Sequence, residues 1–116
     1  MELASALHNL GALVTLGLGI LGLIRPTFVA AFARIEPQGR MGLSEIRSTY
    51  GGLFAALGSF ALVAQDMVAF TLLGAAWIGA AAARLVSTFV DDAREPLNYA
   101  GVLFEGGIGL LLLVPG

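Results

Sequence analysis

Leu3–Ile24, LASALHNLGALVTLGLGILGLI, runs for twenty-two residues without a formal charge and stops at Arg25-Pro26. A helix needs about twenty apolar residues to cross roughly 30 Å of hydrocarbon at about 1.5 Å per residue, so this stretch reads as a membrane span. It is too long for the core of a secretion signal, and Met1-Glu2 before it supplies no basic region. The stop has a chemical cause. A cation suits the carbonyl-rich end of a helix, and proline has no N–H with which to continue one.

The rest of the chain agrees. Of 116 residues 58% are hydrophobic and only 12% charged, and mean hydropathy is +0.90. An ordinary soluble domain carries about 25% charged residues. A soluble fold of this size could not hide so much apolar surface, so the bilayer must be its solvent. The absence of cysteine excludes disulfides, thiolate catalysis and Cys-ligated metal, and a single histidine, His8, leaves no nitrogen-rich metal site within one chain. We expect no metal and no cofactor. Six arginines with no lysine point to a GC-rich bacterial genome.

Three further apolar segments follow, giving spans of about 3–24, 44–64, 67–90 and 96–114 in one domain covering 1–116. The second opens near Ser44, an N-cap residue type. The third follows a connection so short that the second and third helices must form an antiparallel hairpin. The fourth opens at Pro96, suited to a first helical position behind the acids Asp91, Asp92 and Glu95. Between the first two spans, TFVAAFARI places Phe28, Ala31, Phe32 and Ile35 on one helical face, which suits a short interfacial helix. The expected fold is therefore an all-α integral membrane protein, an antiparallel four-transmembrane-helix bundle. In the first helix Ala4, His8, Gly11, Thr15, Gly19 and Gly22 share a small-residue face that should pack against another helix.

All six arginines lie in or beside the first and third connections, while the N-terminus, the Gln65-Asp66 turn and the C-terminus carry none. By the positive-inside bias, 25–43 and 91–95 face the cytoplasm of a bacterial inner membrane, with both termini outside.

Three charges lie too deep to be topology signals alone. Counted at about 1.5 Å per residue from the cytoplasmic helix ends, Arg47 is about 5 Å deep, Arg84 about 9 Å and Glu105 about 12 Å. A lone charge at the centre of a span costs about 2.5–3.5 kcal/mol on insertion scales, so Glu105 should face protein. Asn98, Gly101, Glu105, Gly109 and Leu112 share its face, with glycine above and below the carboxylate. Arg84 lies on a face with Ala76, Ala80, Ser87 and Asp91. Opposite signs at similar depth predict an Arg84–Glu105 ion pair, for which the planar guanidinium is well shaped. In the second helix Arg47 stripes with Gly51, Phe54 and Gly58. There Arg47 either joins Glu105 or snorkels to headgroups, Glu45 reads as a first-turn acid on the helix dipole, and Tyr50 as an interfacial aromatic. The candidate cluster is Glu105, Arg84, Arg47, Glu45 and Tyr50.

Gly42–Gly52 (GLSEIRSTYGG), with Arg84, Leu85, Ser87 and Glu105 downstream, resembles a family of small bacterial four-helix membrane proteins, the domain of unknown function 4345, across essentially the whole chain. More distantly it is similar to DoxX-like membrane proteins. The resemblance implies a four-helix bundle with a polar cluster of Glu45, Arg47, Arg84 and Glu105, and it implies no activity.

Three functions remain open. With no nucleophile–base pair and no cofactor motif, a non-catalytic membrane subunit or assembly partner ranks first. Second is a small-molecule or lipid binder, or a proton-coupled transporter, using Glu105. Third is a lipid-modifying enzyme with Glu105 as acid beside Tyr50 or Glu45. The partners expected are the lipid bilayer and other membrane proteins or further copies of the chain, and no nucleic acid.

Overall fold

The computed structural model describes residues 2–116, all of whose regular structure is helical. In order come α1 (Glu2–Ile24), α2 (Pro26–Phe32), α3 (Gly39–Ile46), a π-helical segment (Arg47–Leu53), α4 (Phe54–Ala64), α5 (Met67–Val90) and α6 (Pro96–Leu113). The π segment joins α3 to α4 without interruption. Four helices, Glu2–Ile24, Gly39–Ala64, Met67–Val90 and Pro96–Leu113, are therefore long and apolar enough to cross a membrane. Leu13, Phe60, Val63, Leu72, Val86 and Leu103 point outward, as lipid rather than water allows. This is an all-α membrane protein with four spans.

Packing groups the chain into two compact units, one made of the N-terminal residues through Gly11 with Gln65–Gly116, the other of Ala12–Ala64. In the first unit α5 and α6 run antiparallel along a seam that glycine makes possible. A Cβ on Gly109 would stand 2.7 Å from Ile78 Cδ1, one on Gly74 2.9 Å from Leu113 Cγ, and one on Gly101 3.0 Å from Arg84 Cδ. Trp77 is buried and meets Phe104 edge-on at 6.0 Å. Asp66 caps α5 by accepting from the Val68 amide at 2.7 Å. The start of α1 joins this unit. His8 Nε2 donates to the Val114 carbonyl at 2.6 Å, which puts the ring proton on Nε2, and the ring stacks on Phe70 at 4.9 Å. Asn9 and Gln65 exchange side-chain amide bonds at 3.2 and 2.6 Å.

In the second unit the remainder of α1 runs antiparallel to the π segment and α4. A Cβ on Gly22 would overlap the Tyr50 carbonyl, one on Gly19 would overlap the Ala55 backbone, and one on Gly58 would stand 2.6 Å from the Leu16 amide nitrogen. Backbone meets backbone here because nothing larger than hydrogen fits between. The small-residue face of α1 is buried along its whole length, from Ala4 and His8 through Gly11, Thr15, Gly19 and Gly22.

Three expectations need correction. The second long helix begins at Gly39, not Ser44, with Gln38 in N-cap position and Gly42 N–H closing the first turn on the Gln38 carbonyl at 3.0 Å. Gly42 lies against Pro37, 2.9 Å from its backbone for a Cβ, so packing extends the helix past the capping signal. Glu45 consequently lies in the last turn of α3, exposed, and is no first-turn acid. The second concerns register. Arg47–Leu53 is π-helical rather than α-helical, so Ile46 and Gly51, five residues apart, share a buried face, while Arg47 and Gly51 both meet Leu23 of α1. The third concerns α5, which buries Trp77, Ala81 and Thr88 and exposes Ala76 and Ala80. The inward face beside Arg84 is thus rotated by one residue from the expected one.

Candidate functional site

The polar site is built on the α5–α6 hairpin. Arg84 stands six residues before the end of α5 and Glu105 nine residues after Pro96 in α6, so a short connection and antiparallel packing bring them level. The guanidinium meets the carboxylate side-on, Nε to Oε1 at 2.8 Å and Nη2 to Oε2 at 2.8 Å. Both carboxylate oxygens are engaged by one cation. Such two-point pairs are the strong form of charged hydrogen bond, about twice a neutral one.

The third arginine nitrogen extends the site. Arg84 Nη1 donates to Asn98 Oδ1 at 3.0 Å, while Asn98 Nδ2 donates to Thr88 Oγ1 at 2.9 Å and to the Ala93 carbonyl at 3.1 Å. Thr88 is fully buried and returns its hydroxyl proton to the Arg84 carbonyl at 2.8 Å. Four side chains, Arg84, Glu105, Asn98 and Thr88, therefore form one network that satisfies its members. No buried side-chain polar atom among the described residues lacks a partner. Exposure is uneven: the Glu105 side chain is 13% exposed and that of Arg84 is 41%. The acid is enclosed, and the arginine forms the outer wall.

Gly101 makes the site sterically possible. Its missing side chain leaves room for the Arg84 stem, with Cδ and Nε each 3.0 Å from where a Cβ would stand. Asn98, Gly101 and Glu105 follow one another at three and four residues, so one face of α6 presents the acid, the gap and the amide.

Of the five candidate residues, the structure joins Arg84 to Glu105. The other three belong to the second unit. Arg47 Nη1 donates to the carbonyl of Leu23 in the last turn of α1, next to the helix break at Arg25-Pro26, where the Arg25 amide still closes on the Leu21 carbonyl at 2.7 Å. Arg47 thus acts as a C-terminal cap carrying the charge that a helix C-terminus favours. Tyr50 is half-buried in the π segment, its ring tilted over Phe54 at 6.1 Å. Glu45 is exposed. Thr88 was not among the candidates, and Asn98 entered only as a face-mate of Glu105. The signal for Thr88 is its position one turn after Arg84, where a hydroxyl can reach back to the i−4 carbonyl. Among the described residues no cluster of three or more His, Cys, Asp or Glu could hold a metal ion.

Four apolar spans with an ion pair clamped inside one helical hairpin define a small multi-pass helical membrane protein. The chain belongs to the family described as Domain of unknown function (DUF4345), whose family model matches residues 4–115. Neither the curated proteins nor the solved structures contain a match.

Proposed function

We propose that this protein is a non-catalytic membrane subunit or assembly partner of a bacterial inner membrane, with the Arg84–Glu105 clamp setting the register of α5 on α6. The observation that carries this reading is the two-point pairing: both oxygens of Glu105 are held by Arg84, so the carboxylate cannot grip a cation or exchange a proton unless the pair breaks. The network around it serves positioning, since each added bond fixes a side chain of the hairpin itself. The one-sided arginines support an orientation with 25–43 and 91–95 in the cytoplasm and both termini outside.

The test is the state of the chain in its own membrane. Extracted in native lipid particles, the 11.9 kDa chain should migrate within a larger assembly, and Glu105→Gln should release it. Migration as a single copy, indifferent to Glu105→Gln, would contradict the proposal.

A second reading is that Glu105 serves a binder of small molecules or lipids, or a proton-coupled transporter. It draws support from the 41% exposure of the Arg84 side chain, which leaves the clamp open on one flank. Proton uptake into vesicles that depends on Glu105 would favour it over the first.

A further inference from the structure

Between the first two spans the chain leaves α1 at the Arg25 break and folds α2 against α3. Pro26 and Ala30, one turn apart, are buried and form the inner face of α2. Its opposite face carries Phe28 and Phe32, also one turn apart, 51% and 68% exposed. Met41 of α3 is 76% exposed. An apolar outer face of this kind is costly in water, yet α2 is too short to span. Its position decides what covers it. The chain leaves the first span at Ile24 and enters the second where Arg47 reaches Leu23, so α2 lies at the membrane surface where both helices cross it.

The charge around the face identifies the lipid. Arg25 precedes α2, Arg34 follows it and Arg40 lies in α3, all three exposed, against a single acid in the connection, Glu36. Aromatic side chains on the apolar face of a surface helix, flanked by arginine, match the boundary between acyl chains and phosphate. We infer that α2 and the start of α3 form an interfacial foot that recognises anionic phospholipid headgroups, Phe28 and Phe32 entering the acyl boundary while Arg25, Arg34 and Arg40 meet phosphate. Guanidinium suits the phosphate diester through paired N–H donors, and the attraction grows with the anionic fraction of the leaflet.

The chain contains no cysteine, so a single nitroxide label can be placed on it cleanly. The full chain bearing a label at Phe32→Cys is reconstituted into phosphatidylcholine vesicles, with and without about a quarter phosphatidylglycerol, and collisions with oxygen and with a water-soluble nickel chelate are compared. The expected result is an oxygen-dominated label whose oxygen-to-nickel ratio rises several-fold with phosphatidylglycerol. Combining Arg25→Gln, Arg34→Gln and Arg40→Gln should abolish that rise while the label stays oxygen-dominated. A label at Leu103→Cys, an outward position in α6, should remain oxygen-accessible in every variant and so verifies insertion. Nickel-dominated collisions at position 32 would place the foot in water, exclusion of both reagents would place it under protein, and a ratio indifferent to phosphatidylglycerol would remove the lipid selectivity. Each of these overturns the inference.

Discussion

Arg47 Nη1 donates to the carbonyl oxygen of Leu23, so a side chain from the π segment closes the end of the neighbouring span. Pro26 has no N–H for the Gly22 carbonyl, and the turn at Arg25 breaks the ladder just beyond it. An arginine there supplies both a donor and the favourable charge.

Arg47→Leu should therefore loosen the last turn of α1. The loss of one charged hydrogen bond to a carbonyl at a helix end corresponds to about 1.5–3 kcal/mol, reduced towards the lower value by the exposure of Arg47. Hydrogen exchange should show faster exchange confined to residues 21–27, with α5 and α6 unchanged. Uniform protection across α1 in the variant would refute the capping role.

Gly22 and Gly19 set the spacing between α1 and the π segment. Gly22→Ala puts a methyl group onto the Tyr50 carbonyl, with backbone on both sides and no flexible side chain to move away. Overpacking of this kind costs about 1–3 kcal/mol, here towards the upper end. Gly17→Ala is the matched control, because a Cβ there meets nothing within 4 Å. Equal stability of the two variants in detergent unfolding would argue against the close approach.

Gly101→Val tests the niche beneath Arg84. The Cβ of any residue at 101 would press on Cδ and Nε at 3.0 Å and displace the guanidinium from Glu105. Gly107, on the open side of the same helix, accepts a side chain freely. The expected outcome is a loss of about 1–2 kcal/mol at 101 and little change at 107. The emission of Trp77, the only tryptophan, reports α5–α6 packing through its buried contact with Phe104.

His8→Ala should free the C-terminal end. The His8 ring anchors Val114 and lies 3.1 Å from the position of a Cβ on Gly116, so its removal takes away both a hydrogen bond and a packing surface. Hydrogen exchange of the reconstituted protein should then be faster at the Val114 and Gly116 amides than in the unaltered chain. Identical exchange would show that the anchor contributes nothing.

What could be read in advance followed from terms the chain carries locally. Hydropathy and length give the spans because a bilayer tolerates little else, and the glycines flanking Glu105 reveal its inward face because only small residues permit close approach. The π segment left no such mark. It is a register shift that accommodates Gly22 against the Tyr50 carbonyl, a fact of tertiary fit spread over two distant segments. Ser44 looked like a helix start, yet Gly42 on Pro37 carried the helix five residues further back. A threonine four residues after an arginine becomes informative only with Asn98 beside it, a contact between α5 and α6 that local sequence does not carry.

The Arg84–Glu105 clamp is tested most directly by a double-mutant cycle. Unfolding of the purified chain is followed in detergent for Arg84→Leu, Glu105→Gln and their combination. Each single variant should lose about 1–3 kcal/mol, a buried-pair value reduced for the exposure of Arg84, and the combination should lose clearly less than the two added together. Losses that simply add would contradict the account, because they would mean that the two residues stabilise the protein independently.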